Sequence, residues 1–447
     1  MPAGEDTILQ GSLFGPLIRF TIPLMLSLLL QALYGAVDLA VVGFFGDTTS
    51  VSAVSNGGQV MQSVTEIIIG LSMGVTVLIG RYTGARCENK AAETVGGTIK
   101  LFLIAALCLT AAMEIFAGKI AGLMSVPQES LAKAVSYIRI CSSGFVFITA
   151  FNVISSLFRG LGDSKSPLLF IAVACGANIA GDLLLCGVFR LDYAGAAIAT
   201  VFSQALSVAF SIRKMRRGAL PFRVGSEQMK NSSGAPLKIL KIGGPVALQD
   251  FLVSVSFLVI IGIVNTLGLV ASASIGISEK MFVFIALVPI SFMYALSAFV
   301  AQNVGAKQEK RAVDAMKAAM KVAFGFGVVM AVLTYFFGGM LARIFVRDPA
   351  VIAATADYLR GTSPEQLIVP FVYCYLGYFN GIGKTHFVLA ESLISSFGFM
   401  IPLCYLFSRL PNTNLYIIGC SVPIYSAACM LMCVGYFAYI RRKRLLT

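Results

Sequence analysis

Apolar residues fill long stretches of this chain, and short polar segments separate those stretches. A helix needs about 20 apolar residues to cross the hydrocarbon core of a bilayer. Stretches of suitable length lie near residues 17–44, 53–80, 95–116, 134–158, 167–188, 194–212, 239–267, 271–301, 313–337, 353–379, 386–407 and 415–439. The pattern therefore predicts an all-α membrane protein with twelve transmembrane helices.

Three separated motifs recur at a constant spacing of 221 residues. LFRGLG at 157–162 returns as YFNGIG at 378–383, and GARCE at 84–88 returns as GAKQE at 305–309. The third motif is YIR, which begins at Tyr137 and returns as YLR from Tyr358. A period of half the chain is too long for a solenoid repeat, and it is typical of transporters built from two fused copies.

Six predicted spans in each copy make the two copies parallel, because an even number of spans returns the chain to its starting side. We predict two parallel six-helix bundles in three segments: an N-lobe at 1–213, a cytoplasmic linker at 214–236 and a C-lobe at 237–447.

The composition agrees with a lipid environment. The chain is 57% hydrophobic and 12% charged, whereas a soluble domain is about one quarter charged. The acidic N-terminus lacks a basic n-region, so we expect no cleavable signal peptide. The ten cysteines are scattered through apolar stretches, which favours small core residues over metal ligands or disulfides.

The net charge of +13 does not indicate nucleic-acid binding, because the basic residues follow the predicted topology. With the N-terminus inside, most of them fall on the cytoplasmic side, including the linker and the C-terminal tail, as the positive-inside rule expects. The basic residues on the outer side are Lys119, Lys133, Arg190, Arg343, Arg347 and Arg409. We therefore predict a multi-pass protein with both termini cytoplasmic, and we expect it in a bacterial or archaeal inner membrane.

Carboxylates at membrane depth require an explanation, because each costs about 2.5–3.5 kcal/mol to insert. The candidates are Asp38, Glu66, Asp182, Asp250, Glu279 and Glu391. A helical rise of about 1.5 Å per residue places Asp38, Asp182 and Thr200 at one depth, about 12–13 Å below the outer ends of their helices. Asn178 lies one turn from Asp182 on the same face.

This set of oxygen and amide groups predicts a coupling-ion site for H⁺ or Na⁺, formed by Asp38, Asn178, Asp182 and Thr200, because hard oxygen ligands suit Na⁺. The alternative is a hydrogen-bonded polar cluster that only fixes helix packing. At the spacing of 221, Val259 corresponds to Asp38, Phe399 to Asn178 and Leu403 to Asp182. The second copy thus builds the same helices without these groups.

The remaining intramembrane acids are less specific. Asp250 and Glu279 could line a cavity that attracts a cationic substrate, or they could belong to internal ion pairs, and both interpretations stay open. We expect a structural hydrogen bond at Glu66, an interfacial position for Glu391, and a loop cation at His386. We find no catalytic motif, and RGLGDSK at 159–165 lacks phosphate-loop spacing, so we predict neither an enzyme nor a cofactor.

These features together resemble the MATE (multidrug and toxic compound extrusion) family over nearly the whole chain. The features that carry the resemblance are the turn FRGLGDSKSP at 158–167, the GA segments at 84 and 305, and Val37-Asp38 leading to Val42-Gly43. The NorM-like branch carries a helix-7 glutamate where this chain has Val253. Residues similar to the DinF-like N-lobe pattern are Pro23, Gln31, Tyr34, Asp38, Tyr137, Asn152, Asn178, Asp182 and Thr200. Asp250 and Glu279 fit neither pattern.

The resemblance implies a V-shaped pair of bundles and alternating access. It also implies export of cationic or amphipathic organic molecules in exchange for H⁺ or Na⁺, with Pro23 as the position where the first helix bends. We expect small-molecule substrates and membrane lipids as partners, no nucleic acid, and a monomer. The alternatives are a flippase for a lipid-linked sugar or lipid from the same superfamily, and a membrane-embedded enzyme such as a lipid transferase.

Overall fold

The computed structural model describes residues 8–124, 126–222, 225, 228 and 231–445, and these residues contain helices and no strand. The first half comprises α1 (Phe14–Phe45), α2 (Thr48–Gly84), α3 (Glu88–Leu123), α4 (Gln128–Ser143), α5 (Phe145–Leu161), α6 (Lys165–Asp182) and α7 (Asp192–Lys214). The second half comprises α8 (Ala235–Asn265), α9 (Leu269–Gly305), α10 (Glu309–Ala342), α11 (Pro349–Thr362), α12 (Glu365–Gly381), α13 (Thr385–Ser395), α14 (Ile401–Ser408), α15 (Leu415–Gly419) and α16 (Ser421–Leu445). The all-α prediction is confirmed.

Ten helical segments in the described residues are long and apolar enough to cross a membrane, and α4 with α5 forms an eleventh span bent by 53°. The break between α4 and α5 falls at Gly144, where an added Cβ would lie 2.5 Å from Val201. The corresponding break in the second half separates α11 from α12 at Ser363 and Pro364. With α11 and α12 taken together, the twelve predicted spans are consistent with the structure.

The repeat is visible in the backbone. Gly162 and Gly383, 221 residues apart, both have positive φ, 88° and 69°. Arg86 and Lys307, also 221 apart, adopt the left-handed conformation with φ of 55° and 60°. The two copies thus use the same turns, although Arg86 in the first copy is replaced by Lys307 in the second.

Helix contacts repeat as well. A Cβ added at Gly160 would lie 2.7 Å from the carbonyl oxygen of Thr76, and one added at Gly381 would lie 2.9 Å from that of Ser297. Glycine allows such close backbone approach. α5 therefore packs on α2 as α12 packs on α9.

The chain divides into two compact units. One contains residues 1–11, 18–247 and 301–307, and the other contains residues 12–17, 248–300 and 308–447. Asp38 and Asp182 lie in the first unit, and Glu365 and Glu391 lie in the second. The lobe and linker limits inferred from the sequence stay a prediction.

Candidate functional site

Asp38 is the centre of a buried polar cluster in the first unit. α1 carries it into the interior, where only 4% of the residue is exposed. The hydroxyl of Thr200 on α7 donates a hydrogen bond to Asp38 Oδ2 at 3.1 Å. The hydroxyl of Tyr34, one turn before Asp38, lies 2.6 Å from Ser203 Oγ. Two polar bridges therefore join α1 to α7.

Asp182 and Asn178 complete the cluster from α6. Both are fully buried, and both lie beside the carboxyl group of Asp38. In the part of the chain that the structure describes, Asp38 Oδ1, both Asp182 oxygens and both polar atoms of the Asn178 amide have no hydrogen-bond partner. Buried polar atoms are nearly always satisfied, so this group of atoms is suited to receive a ligand.

The backbone is irregular at the same place. α6 ends at Asp182, and a π-helical segment, Leu183–Val188, follows directly. Short π-helical segments occur frequently at functional sites. In the second half a π-helical segment, Ser396–Met400, lies at a different position along its helix. The irregularity at Asp182 therefore does not follow from the repeat.

Tyr137 on α4 borders the cluster. It is 4% exposed and lies within electrostatic range of Asp38 and Tyr34. Its ring packs against α2 at Gly57, where an added Cβ would lie 2.5 Å from Tyr137 Cδ1. Gly57 thus provides the space that holds this ring next to the aspartates.

The other residues predicted to line the lobe have more local contacts. Asn152 is buried, and its amide nitrogen donates to the carbonyl oxygen of Ile148 in its own helix, 2.9 Å away. Pro23 is buried within α1, which continues through it, and its carbonyl oxygen accepts a hydrogen bond from Ser27 Oγ. Gln31 is half-buried on α1. Tyr34 packs against an apolar cluster around Phe158 and Phe170.

An ion cluster that the sequence did not reveal joins the beginning of α4 to the beginnings of α2 and α7. Lys133 Nζ on α4 lies 2.8 Å from Asp47 Oδ1, 2.7 Å from Ser50 Oγ and 3.4 Å from Asp192 Oδ2. Ser50 Oγ also donates to Asp192. The positive φ of Asp192, 54°, was not visible in the sequence, and neither was the proximity of three residues so distant along the chain.

Lys133 also changes the pKa of Asp47, whose carboxyl group lies outside the membrane-spanning segments. Its hydrogen bond, followed by those from Ser50, holds the pKa of Asp47 well below the usual range of an aspartate. Asp47 is therefore ionised at neutral pH and beyond it into mild acid.

The second unit has its own acids within its helices, of which Glu391 is buried and Asp250 and Glu365 are half-buried. Tyr373 on α12 lies within electrostatic range of Glu365, Asp250 and Glu391. Glu365 was missed by the sequence reasoning because it stands next to a helix break, and it accepts a hydrogen bond from Ser426 at 3.2 Å. Position 365 corresponds to Gly144 in the first half, so this carboxylate is absent from the other copy.

The prediction for Glu391 was wrong. Instead of reaching the interface, it is 2% exposed and accepts hydrogen bonds from Ser395 and Ser392 at 3.1 and 3.2 Å. The small hydroxyl residues of its own helix make burial possible.

Two further acids were singled out from the sequence. Glu66 accepts a hydrogen bond from Gln62 at 3.3 Å, in line with a structural role. Glu279 is half-buried on α9, and it joins none of the ion pairs found among the described residues.

Metal ligands of the usual protein type do not converge in the described part of the chain, where no three His, Cys, Asp or Glu side chains come together. The donor set at Asp38 differs from such a centre, because it combines two carboxylates with amide and hydroxyl oxygens. This set suits a proton or an alkali cation.

Curated relatives match nearly the full chain. The probable multidrug resistance protein YoeA of Bacillus subtilis is 24% identical over 445 residues, which cover 98% of this chain and 96% of that protein. The multidrug export protein MepA of Staphylococcus aureus is 24% identical over 409 residues, covering 90% and 88%.

Solved structures share the fold. A MOP superfamily transporter from Pyrococcus furiosus, described as having a binding pocket of reverse polarity that suggests a different function, superimposes with a TM-score of 0.91 at 20% identity. An outward-facing multidrug resistance MATE family transporter gives 0.86 at 21% identity. Both comparisons cover 99% of this chain and 98% of the other.

The MatE family model matches this chain twice, at residues 23–184 and 245–406. The two matches begin 222 residues apart, close to the spacing of the sequence repeat, and each covers most of one six-helix copy. Together they span more than half of the 447 residues. The chain is therefore an integral membrane protein that belongs to the MatE family.

Proposed function

We propose that this protein exports small organic molecules, cationic or amphipathic, across a bacterial or archaeal inner membrane in exchange for H⁺ or Na⁺. The observation that carries the proposal is the pair of buried carboxyl groups of Asp38 and Asp182, which lie beside each other and have three oxygens without a partner among the described residues. Such groups are costly in a membrane protein and mark ion or proton pathways. The multidrug names of YoeA and MepA support the choice of substrate class.

In this mechanism Asp38, Asn178, Asp182 and Thr200 hold the coupling ion, as in the DinF-like branch. Tyr34, Tyr137, Gln31 and Asn152 line the lobe, and Pro23 lets α1 change shape as the protein alternates between its two accessible states. The lobes are residues 1–213 and 237–447, joined by the cytoplasmic linker at 214–236, with both termini inside. The protein works as a monomer. Asp250 and Glu279 contact the substrate or a cation in the C-lobe.

The presence of two carboxyl groups at the site affects how much energy the membrane voltage can contribute to export. One charge that moves inward across about 100 mV yields about 2.3 kcal/mol, equivalent to a concentration ratio of about 50. Exchange of one monovalent drug for one ion moves no net charge and gains nothing from the voltage. Two aspartates allow two protons to enter per cationic drug, which would make export voltage-dependent.

A lipid flippase is not favoured, because the curated relatives that match the chain are named for multidrug resistance or export rather than for lipid movement.

The test is efflux of a fluorescent organic cation from proteoliposomes under an imposed pH or Na⁺ gradient. We expect Asp38→Asn and Asp182→Asn to abolish gradient-driven efflux. Glu129→Gln, which removes an exposed carboxylate, should leave it intact. Unchanged coupling in both aspartate variants would overturn the site, and efflux that is indifferent to either gradient would overturn the antiporter function.

A further inference from the structure

An arginine-lined cavity lies in the second unit, between the end of α10 and one side of α11. Its volume is about 700 Å³, and Arg343, Arg347, Arg360 and Asp357 are its charged lining residues. By the predicted topology this end of α10 is on the outer side of the membrane. None of these four residues belongs to the proposed transport site.

The cavity carries an excess of positive charge. Arg360 Nη1 lies 3.2 Å from Asp357 Oδ1, so this pair neutralises itself. Arg343 and Arg347 are exposed, and neither joins an ion pair within the described residues. Two guanidinium groups are thus available to an anion.

The fold does not require these two arginines. At the spacing of 221, Gly122 and Val126 occupy the corresponding positions of the first copy, where α3 ends at Leu123 without a basic residue at either place. Outer loops of membrane proteins also carry few basic residues. A requirement other than folding or topology therefore accounts for the pair.

The surroundings indicate what kind of anion fits. Phe336 and Met340 near the end of α10 are 68% and 62% exposed, and Ile344 just after the helix is 74% exposed. In a membrane protein such apolar side chains face lipid tails. The cavity itself has an apolar wall formed by Val346 and Ile352. Positive charge next to lipid-facing apolar surface at a helix end places the arginines at headgroup depth.

We propose that this cavity binds the phosphate group of an anionic phospholipid of the outer leaflet, with its acyl chains along the exposed side chains of α10. Guanidinium groups suit phosphate because their planar donors match its oxygens. Basic pockets on the cytoplasmic side of membrane proteins bind lipid headgroups by this chemistry, and these arginines offer the same chemistry on the outer side.

The test measures lipid retention by native mass spectrometry on the full chain, purified with phosphatidylglycerol or phosphatidylcholine. The variant Arg343→Gln/Arg347→Gln should bind phosphatidylglycerol about 30-fold more weakly, because each basic residue contributes about fivefold. Lys119→Gln/Arg409→Gln removes the same charge from outer positions elsewhere and should bind like the wild type. Equal retention by the two double variants would overturn the proposal.

Two further measurements separate the effect of charge from that of side-chain geometry, and the binding of lipid from the binding of free phosphate. Arg343→Lys/Arg347→Lys keeps the charge and should retain an intermediate affinity, which also covers the case in which the glutamine variant fails to fold. Inorganic phosphate at millimolar concentration should not displace phosphatidylglycerol. Arginine-dependent phosphate binding without a preference for phosphatidylglycerol over phosphatidylcholine would overturn the lipid assignment.

Discussion

The hydroxyl of Thr200 donates a hydrogen bond to Asp38 Oδ2 over 3.1 Å. This bond connects α7 to α1, although the two residues lie 162 positions apart in the sequence. Asp38 Oδ1 has no hydrogen-bond partner of normal geometry among the described residues, and Asp182 and Asn178 lie beside the same carboxyl group. The hydroxyl of Thr200 thus orients one oxygen of Asp38 and leaves the other available to an ion.

Replacing this hydroxyl should weaken ion coupling without disturbing the fold. Thr200→Val keeps the shape of the side chain and removes the donor. A hydrogen bond to a charged group contributes about 1.5–3 kcal/mol, so we expect the apparent affinity for the coupling ion to fall at least about tenfold. Gradient-driven efflux at a series of ion concentrations measures it.

Thr266→Val is the control for this change, because the Thr266 hydroxyl is exposed in the turn after α8 and, among the described residues, donates to the Ile263 carbonyl oxygen at the end of that helix. It should leave ion affinity unchanged. A Thr200→Val protein with wild-type ion affinity would show that the bond to Asp38 is structural.

Gly57 should be essential for the position of Tyr137. An alanine methyl at this position would lie 2.5 Å from Tyr137 Cδ1, and the buried ring has little room to move. We expect Gly57→Ala to displace Tyr137 from the aspartates and to reduce efflux strongly. Overpacking of this kind also costs about 1–3 kcal/mol of stability, which thermal unfolding in detergent measures.

The neighbouring glycine provides a matched control. Gly58 is in the same helix, and a Cβ there would meet no atom within 4 Å. Gly58→Ala should therefore retain full efflux and stability. If Gly57→Ala and Gly58→Ala had the same efflux and the same stability, the contact between Gly57 and Tyr137 would not be needed for transport.

The ion cluster around Lys133 should stabilise the first unit. Lys133→Met leaves Asp47 and Asp192 close together without their cation. Because exposed ion pairs contribute little, we expect the melting temperature to fall by only about 2 °C. Lys119→Met, a change of the same kind at an exposed position, should have no effect, and a similar decrease in both variants would argue against the cluster.

The pH dependence of this stabilisation follows from the pKa of Asp47, which the Lys133 hydrogen bond lowers. A depressed folded-state pKa contributes stability above the unfolded-state value of about 3.9 and loses it as the pH falls through the lower folded value. The difference in melting temperature between wild type and Lys133→Met should thus stay constant from about pH 5 to about pH 8. A difference that vanished near neutral pH would contradict this assignment.

Gly84 and Gly305 should tolerate no side chain in the conformation described. A Cβ at Gly84 would lie 1.9 Å from the Gln302 carbonyl oxygen, and one at Gly305 would lie 2.1 Å from that of Arg81. All four residues belong to the first compact unit. We expect Gly84→Ala to lower stability by about 1–3 kcal/mol, measured by thermal unfolding. Gly118→Ala, where a Cβ meets open space, should be neutral or slightly stabilising.

The sequence by itself determined the helical architecture, because membrane spans require long apolar runs. It also determined the repeat, because the turn that both copies use needs a residue with positive φ, and glycine stands there in both, at Gly162 and Gly383. It also identified Asp38 and Thr200 as neighbours, since their depth can be counted from the helix ends. These properties depend on local pattern and helical rise alone.

Tertiary structure decided which polar groups meet. It brought Lys133 to Asp47 and Asp192, placed Tyr137 against Gly57, and buried Glu391 between the hydroxyls of its own helix. It also brought together the arginines at the end of α10 around one cavity. Each of these contacts depends on how helices rotate and cross, and helical periodicity leaves that rotation open until the side chains pack.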